Sequence, residues 1–304
     1  MVKYFSLLLL VAIFFQIILG AWVRLTGSGM SCPDWPLCYG MIFPTYEKIK
    51  SIENIDYTYF QVFLEWIHRA NAAFIVGPLA ILLICFVNFK KNISKNLKIR
   101  SLYLLILLSV QGLLGGLTVF KSNIPWSVAI HLSCAFLLLY IVLNICLESF
   151  NKSPRYLKVP NSTRIFIFLS GLFTIITASA GAFTSKYGAS LACQNWPNCN
   201  ESFFPDFFDL FQTIHFFHRF LVVILLTLLV LFLIKISTVY KKMSIFLKYI
   251  FYAIPLVVLI QITIGAILIH LEIPIWLGIF HQATGLLLFS LISIMYFYTK
   301  TKYN

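Results

Sequence analysis

Long apolar runs alternate with short polar connections along the whole chain. About 20 apolar residues suffice to cross a bilayer as a helix, and eight such runs stand out, at residues 5–23, 66–89, 101–120, 126–147, 165–184, 214–234, 249–270 and 276–298. The pattern predicts an all-α integral membrane protein. The first run ends in Gly20-Ala21-Trp22 and resembles a signal peptide. It aligns with the fifth run in an internal repeat, however, and is expected to be a retained span.

The repeat is visible in two registers. QIILGAWVRLTGSGMSCPDWPLC at residues 16–38 matches TASAGAFTSKYGASLACQNWPNC at residues 177–199, an offset of 161 that pairs glycine, alanine, both cysteines and Trp-Pro. From the second run of each half the offset is 150, because the first half has the longer loop. Gln111, Gly115, Trp126 and His131 then correspond to Gln261, Gly265, Trp276 and His281. The expected domains are residues 1–150 and 151–304, each with four spans. An even number of spans gives both halves the same sense through the membrane, so the prediction is eight transmembrane helices as two parallel-repeat four-helix bundles. Gly112, Gly115, Gly116 and Gly265 read as positions of close helix packing.

Composition agrees with a bilayer setting. The 304 residues are 60% hydrophobic and 11% charged, with a mean hydropathy of +0.91, too few polar side chains to cover a soluble globule. A net charge of +13 would suggest a nucleic-acid partner in a soluble protein. Here the basic residues cluster by loop: Lys90, Lys91, Lys95, Lys98 and Arg100 follow the second run, Lys152, Arg155, Lys158 and Arg164 the fourth, and Lys235, Lys241, Lys242 and Lys248 the sixth. With Lys3, Lys300 and Lys302 they predict cytoplasmic termini in a bacterial-type, multi-pass plasma membrane protein. The lipid bilayer is the expected partner, and nucleic acid is not. Trp22, Trp66, Trp126 and Trp276 fit an interfacial aromatic belt.

Seven cysteines divide by location. Cys85, Cys134 and Cys146 fall inside apolar runs, as small hydrophobes. Cys32 and Cys38, and Cys193 and Cys199, form two C-x5-C pairs around Trp-Pro in loops on the oxidising side. Each pair is open to two readings, a structural staple or redox and substrate handling. The spacing suits neither a C-x-x-C thiol oxidoreductase nor a zinc finger.

Histidines repeat more strictly. Glu65-Trp66-Ile67-His68-Arg69 recurs as His215-Phe216-Phe217-His218-Arg219, and a second histidine follows 63 residues after each, His131 after His68 and His281 after His218. A polar ring in an apolar span needs a partner. A hydrogen bond to a neighbouring helix is one possibility, but two rings repeated at one spacing point to each pair clamping one haem iron. Counted from the outer ends of their runs, the rings are expected about 5–8 Å deep at ~1.5 Å per residue. Two imidazoles per half fall short of a zinc shell.

Glu65 lies i, i+3 from His68, either as an acid beside the iron site or as a helix N-terminal residue favoured by the dipole. Its counterpart is His215, so only the first half has a carboxylate there. Arg69, Arg219 and Arg24 read either as partners of haem propionates or as snorkelling interfacial side chains.

Taken together, these residues resemble the haem A synthase family over the whole chain: two four-helix halves, ExxHR at Glu65-His68-Arg69, His131, HR at His218-Arg219, His281, and the loop cysteine pairs. The resemblance implies oxidation of one porphyrin methyl group of haem O to a formyl, by successive hydroxylations and loss of water, for terminal oxidase assembly. It implies that His68 and His131 hold the substrate haem, that His218 and His281 ligate a resident haem b, that Glu65 is the catalytic acid, and that Cys32 and Cys38 are the family's first-loop pair. A haem O synthase and an electron donor are the implied partners. Two other functions compete, a di-haem electron carrier resembling cytochrome b and a haem transporter or chaperone. The first usually takes two histidines from one helix about 13–14 residues apart, a spacing missing here, and the second leaves Glu65 without a purpose.

Overall fold

The structure is a computed structural model that describes residues 1–151 and 155–301; Lys152 and Lys302, two of the basic residues above, lie outside them. The chain divides into two compact units, Met1–Ser149 and Phe150–Asn304. In the first, helix α1 (Val2–Leu25) leads into a disulfide loop with a short helix α2 (Tyr46–Lys50), then α3 (Tyr59–Asn71), α4 (Gly77–Phe89), α5 (Lys95–Phe120) and α6 (Pro125–Phe150). The second contains α7 (Asn161–Lys186), α8 (Leu210–Ser237), α9 (Ile245–His270) and α10 (Ile275–Phe297), with strands β1 (Leu157–Val159) and β2 (Thr299–Thr301). Eight helices among the described residues are long and apolar enough to cross a membrane, counting Tyr59–Phe89 as one, so the all-α membrane architecture is that expected.

Most spans begin or end outside their apolar runs, because polar caps extend them. Thr58 closes a capping box with Gln61, each side chain bonding the other's backbone N–H, and α3 therefore starts seven residues before the apolar run does. Asp209 accepts from the N–H groups of Phe211 (2.8 Å) and Gln212 (3.3 Å) and starts α8 in the same way. Measured along the helix at about 1.5 Å per residue, His68 is thus about 14 Å from the first residue of α3 (nine residues on), and His131 about 9 Å from that of α6 (six on).

The second span is interrupted, which its apolar pattern does not reveal. Residues Ala72–Val76 form a π-helical turn between α3 and α4. Pro78 has no N–H and would crowd the carbonyl four residues back, so the ladder must widen before it. Gly77 permits this: its N–H bonds to the Ala72 carbonyl, where an added Cβ would sit 3.2 Å from that oxygen. The repeat positions in the other unit are Thr227 and Leu228, and α8 is unbroken.

In the first unit α1 packs on α3 and α4, and α4 on α5; in the second, α10 packs on α9 and α7, and α7 on α8. The second unit's core runs through Phe232, Ile236, Ile254, Leu291, Ile292 and Met295. Strands β1 and β2 pair in parallel, Leu157 with Thr299 through Val159 with Thr301, and the Arg164 guanidinium donates to the Thr299 carbonyl. Strands of three residues carry no alternation from which a sequence could predict them.

Candidate functional site: two histidine pairs beneath disulfide loops

Four histidine rings, those of His68, His131, His218 and His281, each lie against a glycine. An added Cβ would come within 3.1 Å of the His68 ring at Gly20, 3.6 Å of His131 at Gly115, 2.9 Å of His218 at Gly181 and 3.2 Å of His281 at Gly265. At Gly115 a Cβ would sit in ordinary contact, but Gly265 does more than let helices approach: its missing side chain makes room for an imidazole. Gly20 and Gly181 do the same on the other side of each unit. Gly116, in contrast, accommodates the Trp35 ring, 3.4 Å from its would-be Cβ. The buried Nδ1 of His131 has no hydrogen-bond partner.

Both cysteine pairs are disulfides, Cys32–Cys38 and Cys193–Cys199, and each loop is pinned by the arginine that follows a histidine. Arg69 donates from Nη1 to the carbonyls of Asp34 and Leu37 (2.7 Å to the latter) and from Nη2 to that of Cys32 (2.9 Å). Arg219 reaches the carbonyls of Asn195 (2.9 Å), Pro197 (3.3 Å) and Asn198 (2.7 Å) from Nη1 and Cys193 (2.9 Å) from Nη2. A planar guanidinium has five donors in a fixed fork; both side chains bind loop backbone, and Arg69 also pairs with Glu65. Arg24 lies half-buried in the last turn of α1. Trp66 also serves the loop, its Nε1 donating to the Ile42 carbonyl at 2.6 Å, whereas Trp22, Trp126 and Trp276 are exposed as a lipid-facing belt requires.

Glu65 is buried, 4% exposed, and is the seventh residue of α3, beyond the first turn where the helix dipole would favour it. Its Oε2 accepts the Cys32 N–H (2.8 Å) and lies 3.0 Å from the Ser31 hydroxyl; its Oε1 pairs with Arg69 Nη2 at 2.6 Å. In the second unit His215 Nδ1 takes the same place, accepting the Cys193 N–H at 3.4 Å, and Ala192 stands where Ser31 does. The two side chains thus anchor their loops alike but differ in charge. Tyr39 is in the same electrostatic neighbourhood: burial, then Tyr57, Glu65, Asp34 and Asp56, raise its phenol above the ordinary value.

Sequence reasoning missed four amides. Gln16, bonded by Asn71, meets His68, Gln111 meets His131 and Gln261 meets His281; their signal was a polar side chain inside an apolar span, where it must find a partner.

These features define a multi-pass membrane protein whose two units each set a pair of intramembrane imidazoles near a disulfide-closed loop. The sequence profile of COX15-CtaA, described as cytochrome oxidase assembly protein, matches residues 3–293, and the chain belongs to this family. Similar curated proteins carry the name "Heme A synthase": one from Alkalihalophilus pseudofirmus is 26% identical, covering 96% of this chain and 95% of its own length. Others come from Shewanella oneidensis, 29% identical with 92% of each chain covered, and Pelagibacter ubique, 28% identical with 95% of this chain and 92% of its own covered.

Proposed function

We propose that the protein is a haem A synthase, an oxidoreductase that converts a methyl group of haem O to a formyl by two hydroxylations and loss of water, a four-electron oxidation whose oxidant is dioxygen or an external electron acceptor. The observation that carries this reading is the matched set of four imidazoles, each facing a glycine, with a carboxylate beside only one pair. The donor set fits haem. Two imidazole nitrogens from separate helices would hold a haem iron in each unit, the glycines lie against the rings, and His131 keeps a buried Nδ1 without a hydrogen-bond partner.

On this reading His68 and His131 bind the substrate haem O, and His218 and His281 hold haem b. Haem b supplies one-electron transfer between the substrate site and a redox partner. Glu65 acts on the substrate. Its Oε1 takes and returns a proton, or offsets positive charge developing beside the reacting methyl, while Cys32 N–H fixes Oε2. Arg69 and Arg219 hold the disulfide loops, and Arg24 in the last turn of α1 is a further propionate candidate. The disulfides are staples of those loops, and the first remains the pair whose loop reports directly on Glu65. The basic loops support a plasma-membrane orientation with cytoplasmic termini and both cysteine loops outside. A haem O synthase is the partner that supplies substrate.

Expression in cells that make haem O tests the reading: haem A or a hydroxylated intermediate should appear in extracted pigments. Unchanged haem O beside a well-folded protein would exclude it.

A further inference from the structure

The residue after the second loop cysteine has a left-handed backbone in both units, Tyr39 with φ 52° and Asn200 with φ 57°. Asparagine takes that conformation readily, whereas a bulky aromatic residue there is strained. Asn200 also uses its side chain to close its loop, accepting the Gln194 N–H at 2.9 Å and donating to the Ala192 carbonyl at 3.1 Å. In the first unit loop closure passes to Asp34, which accepts the N–H groups of Tyr39 (2.6 Å) and Gly40 (2.8 Å), one on each carboxylate oxygen. The backbone at Tyr39 is thus held left-handed by another residue, and its own side chain is released from that task. The half-buried ring packs against the cluster of Cys32, Cys38, Ile49 and Val62. Its phenol lies within electrostatic reach of Tyr57, Glu65, Asp34 and Asp56, and Arg69, paired with Glu65 at 2.6 Å, supplies a cation beside them.

Backbone strain of this kind persists where a side chain has a use. Each hydroxylation of the porphyrin methyl moves protons. With an external electron acceptor, the carbon takes its oxygen from water and gives up two protons and two electrons; with dioxygen, two protons and two electrons are taken in and the second oxygen leaves as water. Glu65 is 4% exposed and needs a route to solvent if it is to pass those protons on. Neither the Cys32 N–H nor the Arg69 guanidinium gives up its proton, and the Ser31 hydroxyl is fully buried and donates to the carbonyls of Ser28 and Gln61. Tyr39 belongs to the surroundings of Glu65 and also reaches solvent. We propose that Tyr39 carries protons between Glu65 and the water outside the first loop. The proposal rests on the haem A synthase reading and commits Glu65, of the two roles given to it there, to proton transfer. The second unit has His215 in place of the carboxylate and Asn200 in place of the phenol, so the two groups occur together in the unit assigned to the substrate. Tyr39 acts through Glu65 and is a positioning residue.

Full-length variants expressed in cells that make haem O test this, with conversion read as haem A plus hydroxylated intermediate per haem O and with haem b content measured alongside. Tyr39→Phe keeps the ring and the backbone and removes only the hydroxyl. Its conversion should fall about a hundredfold, the lower end of what a proton-transferring group contributes, with haem b content unchanged. Tyr39→Asn imports the residue that suits a left-handed backbone; it should unfold at no lower a temperature than wild type and convert as poorly as Tyr39→Phe, which separates the loss from misfolding. Tyr39→His tolerates a positive φ and titrates near neutrality, so it should convert several-fold faster than Tyr39→Phe, a recovery that a structural role for the phenol would not give. Wild-type conversion by Tyr39→Phe, or a Tyr39→His variant no faster than Tyr39→Phe, would overturn the proposal, while haem A made by the wild type would leave the enzymatic reading standing. A wild type that makes neither haem A nor a hydroxylated intermediate would overturn both.

Discussion

The backbone N–H of Cys32 donates to Glu65 Oε2 at 2.8 Å, and its repeat partner Cys193 donates to His215 Nδ1 at 3.4 Å. One loop-anchoring position is therefore filled by a carboxylate in one unit and an imidazole in the other. Both accept the same kind of hydrogen bond, so the fold does not dictate the difference. In the proposed function the carboxylate stands in the unit assigned to the substrate, and an anchor that also carries charge would couple the first loop to the chemistry.

Glu65→His follows from this equivalence. It imports the second unit's anchor, so Cys32 keeps an acceptor and the loop should stay closed. Haem A formation should fall to background while the haem b spectrum is unchanged. Glu65→Ala should instead strand Arg69 and the Cys32 N–H, costing about 3 kcal/mol or more for a broken buried pair. Thermal unfolding monitored by circular dichroism separates the two variants.

Gly181→Ala places a methyl 2.9 Å from the His218 ring. Overpacking of this kind costs typically about 1–3 kcal/mol, here by turning a ligand aside. The variant should lose haem b, read from the pyridine haemochrome. Gly115→Ala, with 3.6 Å available, should leave pigment content near wild type.

Removing a disulfide that closes so short a loop should cost about 2 kcal/mol in the chain-entropy account. Cys193→Ser with Cys199→Ser should show that loss of stability alone. Cys32→Ser with Cys38→Ser should add a loss of activity, because the loop it loosens holds Glu65. Equal activity losses in both double variants, measured as haem A per protein, would break that link.

The membrane architecture was legible because eight apolar runs and a repeated HR with a second histidine 63 residues on survive in any single sequence. The helix starts were less so: Thr58 and Gln61 cap α3 ahead of a short apolar stretch, Val62-Phe63-Leu64, that Glu65 separates from the longer run. The π turn was signalled by Gly77-Pro78 inside an apolar run. Glu65 was recognised as special, but spacing along a helix shows a shared face and says nothing about a loop folding back onto it. Arg69 and Arg219 read from sequence as propionate partners or as snorkelling side chains, since carbonyls of a distant loop leave no mark in the sequence. The glycines at the rings could be seen as repeat positions only, because which side chain fills the space of a missing Cβ is a tertiary fact.

The claim on which the rest depends is that each histidine pair grips its own haem. Mass spectrometry and haem quantitation on purified wild type, on His68→Ala with His131→Ala, and on His218→Ala with His281→Ala test it most directly. Wild type should carry haem b together with haem O or its oxidised products. The first double variant should retain only haem b, and the second should lose haem b while still binding haem O. Haem content indifferent to both double variants would contradict the account.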